Sequence, residues 1–425
     1  MLKKLILENW KSFRYAELPL DPLTVLIGTN ASGKSNVVEA LEFLQRIARG
    51  ENIETALAGD KALSSIRGGV EWAARKPETE FTLKALIQGE DERIDYLYSI
   101  QIRTLPEVRV IKEYIKFQIF IEKEGINNKE YTITIKLKNN SFATKSGLQN
   151  RGIDLNLREK IVSNLPNNKK EVILIEDNDF IKKLYDTIFV LSNEGKKNVV
   201  STLENILVLN PIPYKMRDYS RLSDNLESDA SNIAGVLAAL DREKKVEVES
   251  NLSDYIKNLP EGDIKKVFAE AVGRLKTDAM LYCEEEWRPG ETTLIDAKTM
   301  SDGTLRFLAI LTALLTRPEG SQIVIEEIDN GLHPSRAELL VKTMREIGSK
   351  RNIDILLTTH NPALLDALGP EIVPFVVVAH RDAETGESKL TLLEDIDNFS
   401  KLFASYSLGN MTTKGVIERS LSHSE

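Results

Sequence analysis

A single cysteine, Cys283, is all this chain holds. That excludes an intramolecular disulfide framework and any cysteine-only zinc cluster, and it fits a reducing compartment. Long apolar runs are missing too. The most apolar helix candidate, FLAILTALL at 307–315, falls far short of the roughly 20 residues that a membrane span needs. The opening MLKKLILENW meets Glu8 and Asn9 too early for a signal-peptide core. A cytoplasmic protein with no membrane insertion is expected. Basic charge is also in deficit, with a formal net charge of −9, so any contact with DNA has to come from a local basic face. Without a fixed-period repeat or a sustained heptad pattern, there is no basis for a repeat array or a long coiled coil.

What remains is an ordinary globular composition, 42% hydrophobic and 28% charged over 425 residues, long enough for two or more lobes with real cores. KKLILEN and LTVLIG read as strands, and 36–49 as a helix with Val37, Val38, Leu41, Leu44 and Ile47 on its apolar face. EFTLKALIQ and RIDYLYSIQI flank a turn at Gly89–Glu92; VRVIKEYIKFQIF and EYTITIKLK flank another at Gly125–Asn128. Their period-two patterning predicts an antiparallel meander. From about 141 the composition shifts to Asn, Lys and Ser, which predicts an insertion over 141–260, mostly helical. The last third alternates again: VFAEAVGRL, a helix at 303–316, the strand QIVIEE, a helix at 334–349 and the strand IDILLTT. The chain therefore reads as an α/β protein with a first lobe at 1–140, the insertion, and a second lobe at 261–425.

GTNASGKS, Gly28–Ser35, matches the phosphate-binding pattern G-x-x-x-x-G-K-[ST] between a predicted strand and a predicted helix. Its glycines let backbone amides turn onto phosphate oxygens, Lys34 reaches the β and γ phosphates, and the Ser35 hydroxyl ligates magnesium at the helix N-terminus. Gly28, Asn30, Ser32, Gly33, Lys34, Ser35 and Asn36 are accordingly the expected binding residues for ATP and Mg2+. Such a loop needs an acidic element on a neighbouring strand, and IVIEE offers two carboxylates. Glu326 is expected on the magnesium side, and Glu327, facing the other way, as the group that activates water. MSDGTLRF, 300–307, places Ser301 and Gly303 just before an apolar helix. Capping accounts for them most simply; presentation of a hydroxyl and an amide to an anion is the sharper reading. His360, in LLTTHNP, follows a buried strand and is a candidate donor to a γ-phosphate.

In order and spacing these motifs resemble the ATP-binding-cassette ATPase heads of the RecF and overcoming-lysogenization-defect group, and in particular the compact AAA-type ATPases of bacterial defence operons. The resemblance covers 1–140 and 260–385. It implies an ABC-type P-loop head with a β meander in its first lobe, and it assigns roles. LENWKSF is similar to the first strand of these heads, where Lys11 approaches the nucleotide. GTNASGKS is the Walker A loop, and MSDGT resembles the signature motif that completes the ATP site of the opposite subunit. IVIEE is similar to Walker B with Glu327 as catalytic glutamate, His333 falls at the D-loop position, and His360 is the switch histidine. Three departures stand out: Glu326 replaces the usual Asp, His333 the usual D-loop Asp, and no convincing glutamine lid follows Walker A, Gln45 and Gln88 being poor candidates.

The implied mechanism is head-to-tail homodimerisation on ATP, released by hydrolysis. The leading expectation for its output is an anti-phage sensor subunit that holds and releases an effector such as a nuclease, in the manner of Septu- and PARIS-type ATPases. The alternative is a RecF-like DNA-binding ATPase, with the Lys-rich NNKKE and REKKVE as candidate contacts. Intact Lys34, Ser35 and Glu327 argue against an inert scaffold.

Overall fold

The computed structural model describes residues 1–61, 63–123, 126–136, 178–259, 263–328, 334–396 and 406–421, with Phe399, Leu402 and Phe403. They fall into two compact units.

The first unit comprises Met1–Leu20, Glu39–Ile206 and Glu387–Lys389. Its frame is an antiparallel sheet of β1 (Leu2–Trp10), β2 (Phe13–Pro19), β4 (Glu80–Gln88), β5 (Asp95–Arg103), β6 (Arg109–Lys123) and β7 (Ile126–Lys136), in the order 2-1-4-5-6-7. The predicted meander is present as β4–β7; β2, whose pattern is broken by Arg14 and Tyr15, was not anticipated. Alternation sends Leu5, Leu7, Phe81, Leu83, Ala85, Tyr96 and Tyr98 to the buried face. There Trp10 packs edge-on to Phe81 at 4.9 Å between ring centroids, and Phe43 closes the trio at 5.9 Å from Phe81. The helix α3 (Asn178–Glu204) lies on β4 and β5. Gly195 makes that approach feasible, because a Cβ there would come within 2.5 Å of the Tyr96 ring. The buried face also carries a carboxyl. Glu113 accepts a hydrogen bond from the Tyr98 hydroxyl at 2.8 Å, while its Oε2 has no partner. Burial pushes its pKa up to about 7.

On the other face of this sheet most cations are matched: Lys4 with Glu17 at 2.7 Å, Lys84 with Glu8, Arg103 with Glu80. On β6, Lys112 and Lys116 lie instead over the ring of Tyr114, at 5.2 and 4.9 Å.

The second unit comprises Asp21–Val38, Leu207–Gly386 and Leu390–Glu425. Its central sheet contains β3 (Leu23–Ile27), β8 (Leu207–Leu209), β13 (Gln322–Ile325), β14 (Asp354–Thr358), β15 (Val376–Arg381) and β16 (Ser388–Leu392), in the order 16-15-3-14-13-8. From β15 to β8 every pairing is parallel, and β3, β13 and β14 are buried at every residue. Their sequences are accordingly continuous apolar runs rather than alternating ones. Helix α7 (Asp302–Thr316) packs with α8 (Pro334–Arg351) and α6 (Arg242–Lys257), and is buried on nearly all sides. A second, antiparallel sheet of β9 (Ser220–Arg221), β10 (Ile264–Val272), β11 (Asp278–Arg288) and β12 (Glu291–Asp296) carries α5 (Ile233–Ala239) and α6. Short helices α2 (Ile53–Ala58, in the first unit), α4 (Pro213–Met216) and α9 (Pro362–Ala367) and the long α1 (Lys34–Ala48) complete the scaffold used below. Cys283 is buried in β11, where desolvation pushes its thiol up to about 12, an unreactive state at neutral pH.

Residues 141–177 of the expected insertion lie outside the described residues. Of its remainder, α3 goes with the first unit, whereas β8, α5 and α6 go with the second. Among the described residues no helix is long and apolar enough to cross a membrane.

Candidate functional site

The loop between β3 and α1 lies in the second unit. Gly28 (φ +145°), Ala31 (φ +62°) and Gly33 (φ +115°) reverse the chain tightly enough to turn successive amides inward. At Gly28 the glycine is a spatial requirement, since a Cβ would sit 2.2 Å from the Ala379 carbonyl oxygen and 2.8 Å from Ser32 Oγ. The Lys34 ammonium folds back onto the loop, donating to the carbonyls of Gly28 at 2.6 Å and Thr29 at 3.0 Å. Ser32 is buried, and its hydroxyl has no hydrogen-bond partner. A buried hydroxyl left without a partner, beside a lysine that donates to two loop carbonyls, is a donor set that a polyphosphate would complete. Asn30 is exposed at the apex; Ser35 and Asn36 are half-buried in the first turn of α1.

The acidic element is displaced from its expected place in two ways. First, β14 stands between β3 and β13, so the carboxylates are two strands from the loop rather than on its neighbour. Second, the strand ends at Ile325, and both glutamates lie in the turn beyond it. The expectation that they alternate across a strand is therefore corrected. Glu326 is half-buried, its amide extending the ladder to the Leu209 carbonyl at 3.3 Å. Glu327 is exposed and left-handed, with φ +47°. A glutamate rarely adopts that conformation unless its surroundings impose it. Here β14 does so: the Glu327 amide donates to Thr358 Oγ1 at 2.8 Å, and the Ile328 amide to the Thr358 carbonyl at 3.2 Å. Carboxylates at a buried apolar strand are thus accommodated because the strand stops before them and the turn faces solvent.

His360 follows from the end of β14 and is exposed. The preceding Thr359 is buried and accepts from the Asn361 amide at 3.0 Å, and Asn361 caps α9. Pairing of Thr358 with Leu26, and of Ile325 with Leu357, brings the ends of β3, β14 and β13 to the same edge of the sheet. The phosphate loop, His360 and the glutamate turn therefore share one rim. This is where a parallel sheet offers a ligand site.

Ser301 is the N-cap of α7. Its Oγ accepts from the Thr304 amide at 3.1 Å and pairs with Thr304 Oγ1 at 2.8 Å, so the capping account is what the fold shows. Ser301 is nonetheless exposed, Gly303 is half-buried in the first turn, and Asp302 pairs with Arg217 at 2.6 Å. Arg306, one turn on, was not singled out from sequence. Burial lowers its pKa, opposed by the nearby carboxylates of Asp302 and Glu327. Its only sequence signal is its place three residues after Gly303, one turn along the same helix.

Two further expected residues remain. Lys11 belongs to the first unit. There its ammonium is paired with Glu39 and donates to the Arg67 carbonyl at 2.7 Å. Burial pulls its pKa down against the opposing pull of Glu39. His333 lies outside the described residues. Gln45, a poor lid candidate, is buried and donates to the Ile206 carbonyl. Among the described residues no cluster of three His, Cys, Asp or Glu is placed to hold a metal.

Residues 23–366 match the family model described as "AAA domain, putative AbiEii toxin, Type IV TA system". An SMC head crystallised with the C-terminal winged-helix domain of ScpA is similar in fold, with 13% identity, 92% of this chain and 97% of that one covered, and a TM-score of 0.51. SMC heads from Pyrococcus furiosus (12% identity, 95% and 99% covered, TM-score 0.48) and Thermotoga maritima (12%, 92% and 98%, 0.41) align more loosely. A search of curated proteins found no match.

Proposed function

Because the chain belongs to that AAA-domain family and has the fold of an ABC-type P-loop ATPase head, we propose that it binds ATP with magnesium at Gly28–Ser35, hydrolyses it, and uses the cycle as a switch between separate and paired heads. The observation that carries this reading is Glu327. Its strained backbone is held by Thr358 at the rim that also bears the phosphate loop.

In this reading Lys34 exchanges its two carbonyl partners for phosphate oxygens, and the amides of the loop and the Ser32 hydroxyl complete the cradle. Ser35 and Glu326 would hold magnesium, which supplies neutralisation of the β and γ oxygens when bound. Glu327 takes a proton from the attacking water, and His360 donates toward the γ-phosphate side. Ser301 and Gly303, exposed or half-exposed at the start of α7, are offered to the nucleotide of a second copy, giving a head-to-tail homodimer. The output is a held and released effector protein, a nuclease being the leading candidate, in anti-phage defence. The family's toxin–antitoxin description is in keeping with such a role.

The test is Glu327→Gln, purified from its host with magnesium and ATP. Hydrolysis should fall by about 10²–10⁴-fold with nucleotide still bound, and native mass should rise to an even multiple of 47.8 kDa. A stoichiometric extra protein would identify the effector. Undiminished hydrolysis refutes the role of Glu327, and a mass indifferent to ATP refutes the dimer.

A DNA-binding ATPase is the second reading, and Lys112 and Lys116, which among the described residues lie over the Tyr114 ring rather than against a carboxylate, favour it. Of the segments read as Lys-rich, NNKKE lies outside the described residues, and REKKVE opens α6, where Lys245 pairs with Glu249. Salt-dependent DNA affinity lost on Lys112→Glu/Lys116→Glu would support this reading; affinity unchanged by both reversals would count against it.

A further inference from the structure

The apex of the phosphate loop is held from a strand some 350 residues away in sequence. Strand β15 runs parallel to β3, pairing Val376 with Val25, Val377 with Leu26 and Val378 with Ile27. One step on, the Ala379 carbonyl leaves room at Gly28 for a hydrogen only. Two residues further, Arg381 Nε donates to the Ala31 carbonyl at 2.9 Å. The same guanidinium donates through Nη1 to the Gly386 carbonyl at 2.9 Å.

Gly386 closes a turn that does not easily shift. Asp382, buried, accepts from the amides of Glu384 at 3.1 Å and Thr385 at 2.7 Å and from the Thr385 hydroxyl at 2.8 Å, and the Gly386 amide returns to the Asp382 carbonyl at 3.0 Å. The guanidinium thus bridges a built turn and the one non-glycine residue of the loop, Ala31, that sits in the left-handed region. Within the loop the Ser32 amide closes the turn around Ala31 onto the Thr29 carbonyl, at a long 3.3 Å; Arg381 adds a shorter hold on the Ala31 carbonyl from outside the loop.

Building on the nucleotide-site reading above, the structure assigns Arg381 as a positioning residue for the phosphate loop. By fixing the carbonyl of Ala31 it holds the loop in the shape that turns its amides toward phosphate, and it acts on nucleotide affinity rather than on the proton transfer at Glu327.

The experiment is a titration of the full-length protein with a fluorescent ATP analogue and magnesium, alongside steady-state hydrolysis of ATP and a thermal melt. Four proteins are compared: wild type, Arg381→Ala, Arg381→Lys, and Arg381→Ala combined with Ala31→Gly. Losing a charge-assisted bond to the loop should weaken Arg381→Ala binding about tenfold and raise KM in step, with kcat retained at saturation. Arg381→Lys keeps one donor for one carbonyl and should recover part of the loss. The Ala31→Gly combination should recover most of it, because glycine takes the left-handed conformation without being held. Should Arg381→Ala melt early, Arg381→Lys set against wild type carries the same comparison. Unchanged affinity in Arg381→Ala, or a loss that Ala31→Gly does not relieve, overturns the assignment while leaving the nucleotide site standing. A wild-type protein that binds no analogue overturns the site itself.

Discussion

Raising the pH should loosen the first unit through one side chain, Glu113. In the fold its carboxyl lies on the buried face of the sheet with one oxygen bonded to Tyr98 and the other without a partner. Burial lifts its pKa from the ordinary 4.5 to about 7. A group whose pKa is higher folded than unfolded favours the fold while protonated in both states, below the unfolded value, and that advantage is lost as pH climbs through the folded value. Raised from 4.5 to about 7, the carboxyl accounts for about 3 kcal/mol in all, most of which is lost between about pH 5 and about pH 8. The assay uses the distribution of tryptophan. Two of the three, Trp10 and Trp72, lie in the first unit, so a Trp287→Phe background makes fluorescence report on that unit alone. Urea titrations at the two pH values should show the parent losing roughly that much stability. Glu113→Gln, which keeps an acceptor for the Tyr98 hydroxyl, should lose far less. Parallel pH profiles for the two proteins would refute the reasoning.

Two further perturbations test the rim. Gly28→Ala drives a methyl to 2.2 Å from the Ala379 carbonyl oxygen, so β3 and β15 must part; nucleotide affinity should fall by about tenfold or more and stability by about 1–3 kcal/mol. An equilibrium titration and a melt check this, and wild-type values in both would show the contact to be harmless. Thr358→Val keeps the shape of β14 but removes the acceptor for the Glu327 amide. It should lower kcat with KM little changed and cost about 1–2 kcal/mol, whereas Thr358→Ser restores the acceptor; equal kcat in the Val and Ser variants would show that the hydroxyl does not position Glu327.

The phosphate loop was legible because its chemistry is local: eight consecutive residues fix the turns, the ammonium and the helix start together. The meander was legible because β4 and β5 bury one face, which forces alternation. The turn at Glu326 and Glu327 was not, since an apolar run followed by two acids reads equally as a longer strand. Thr358, a residue of a different strand, holds the turn that ends β13 through its hydroxyl and its carbonyl. The insertion of β14 between the loop and the carboxylates is likewise a matter of sheet order, which no local pattern encodes. Arg306 and Arg381 escaped notice for a related reason: each is an isolated basic residue with one telling neighbour, the Glu327 carboxylate or the Ala31 carbonyl, that is distant in sequence. Lys11 was reached through resemblance rather than pattern, and its ammonium pairs with Glu39 and donates to the Arg67 carbonyl.

The parallel pairing of β3 with β14 and β15 bears on how the protein is made. Strands β1, β2 and β4–β7 can pair as soon as the first 136 residues have left the ribosome, because every partner lies within those residues, the longest reach being from β1 to β4. The phosphate loop emerges earlier still, at residues 28–35, but the two strands that flank β3 follow at 354–358 and 376–381. For most of synthesis, then, the loop exists without a site. Nucleotide would be captured only by chains translated nearly to their last strands, and truncated products carrying the whole motif would leave cellular ATP untouched.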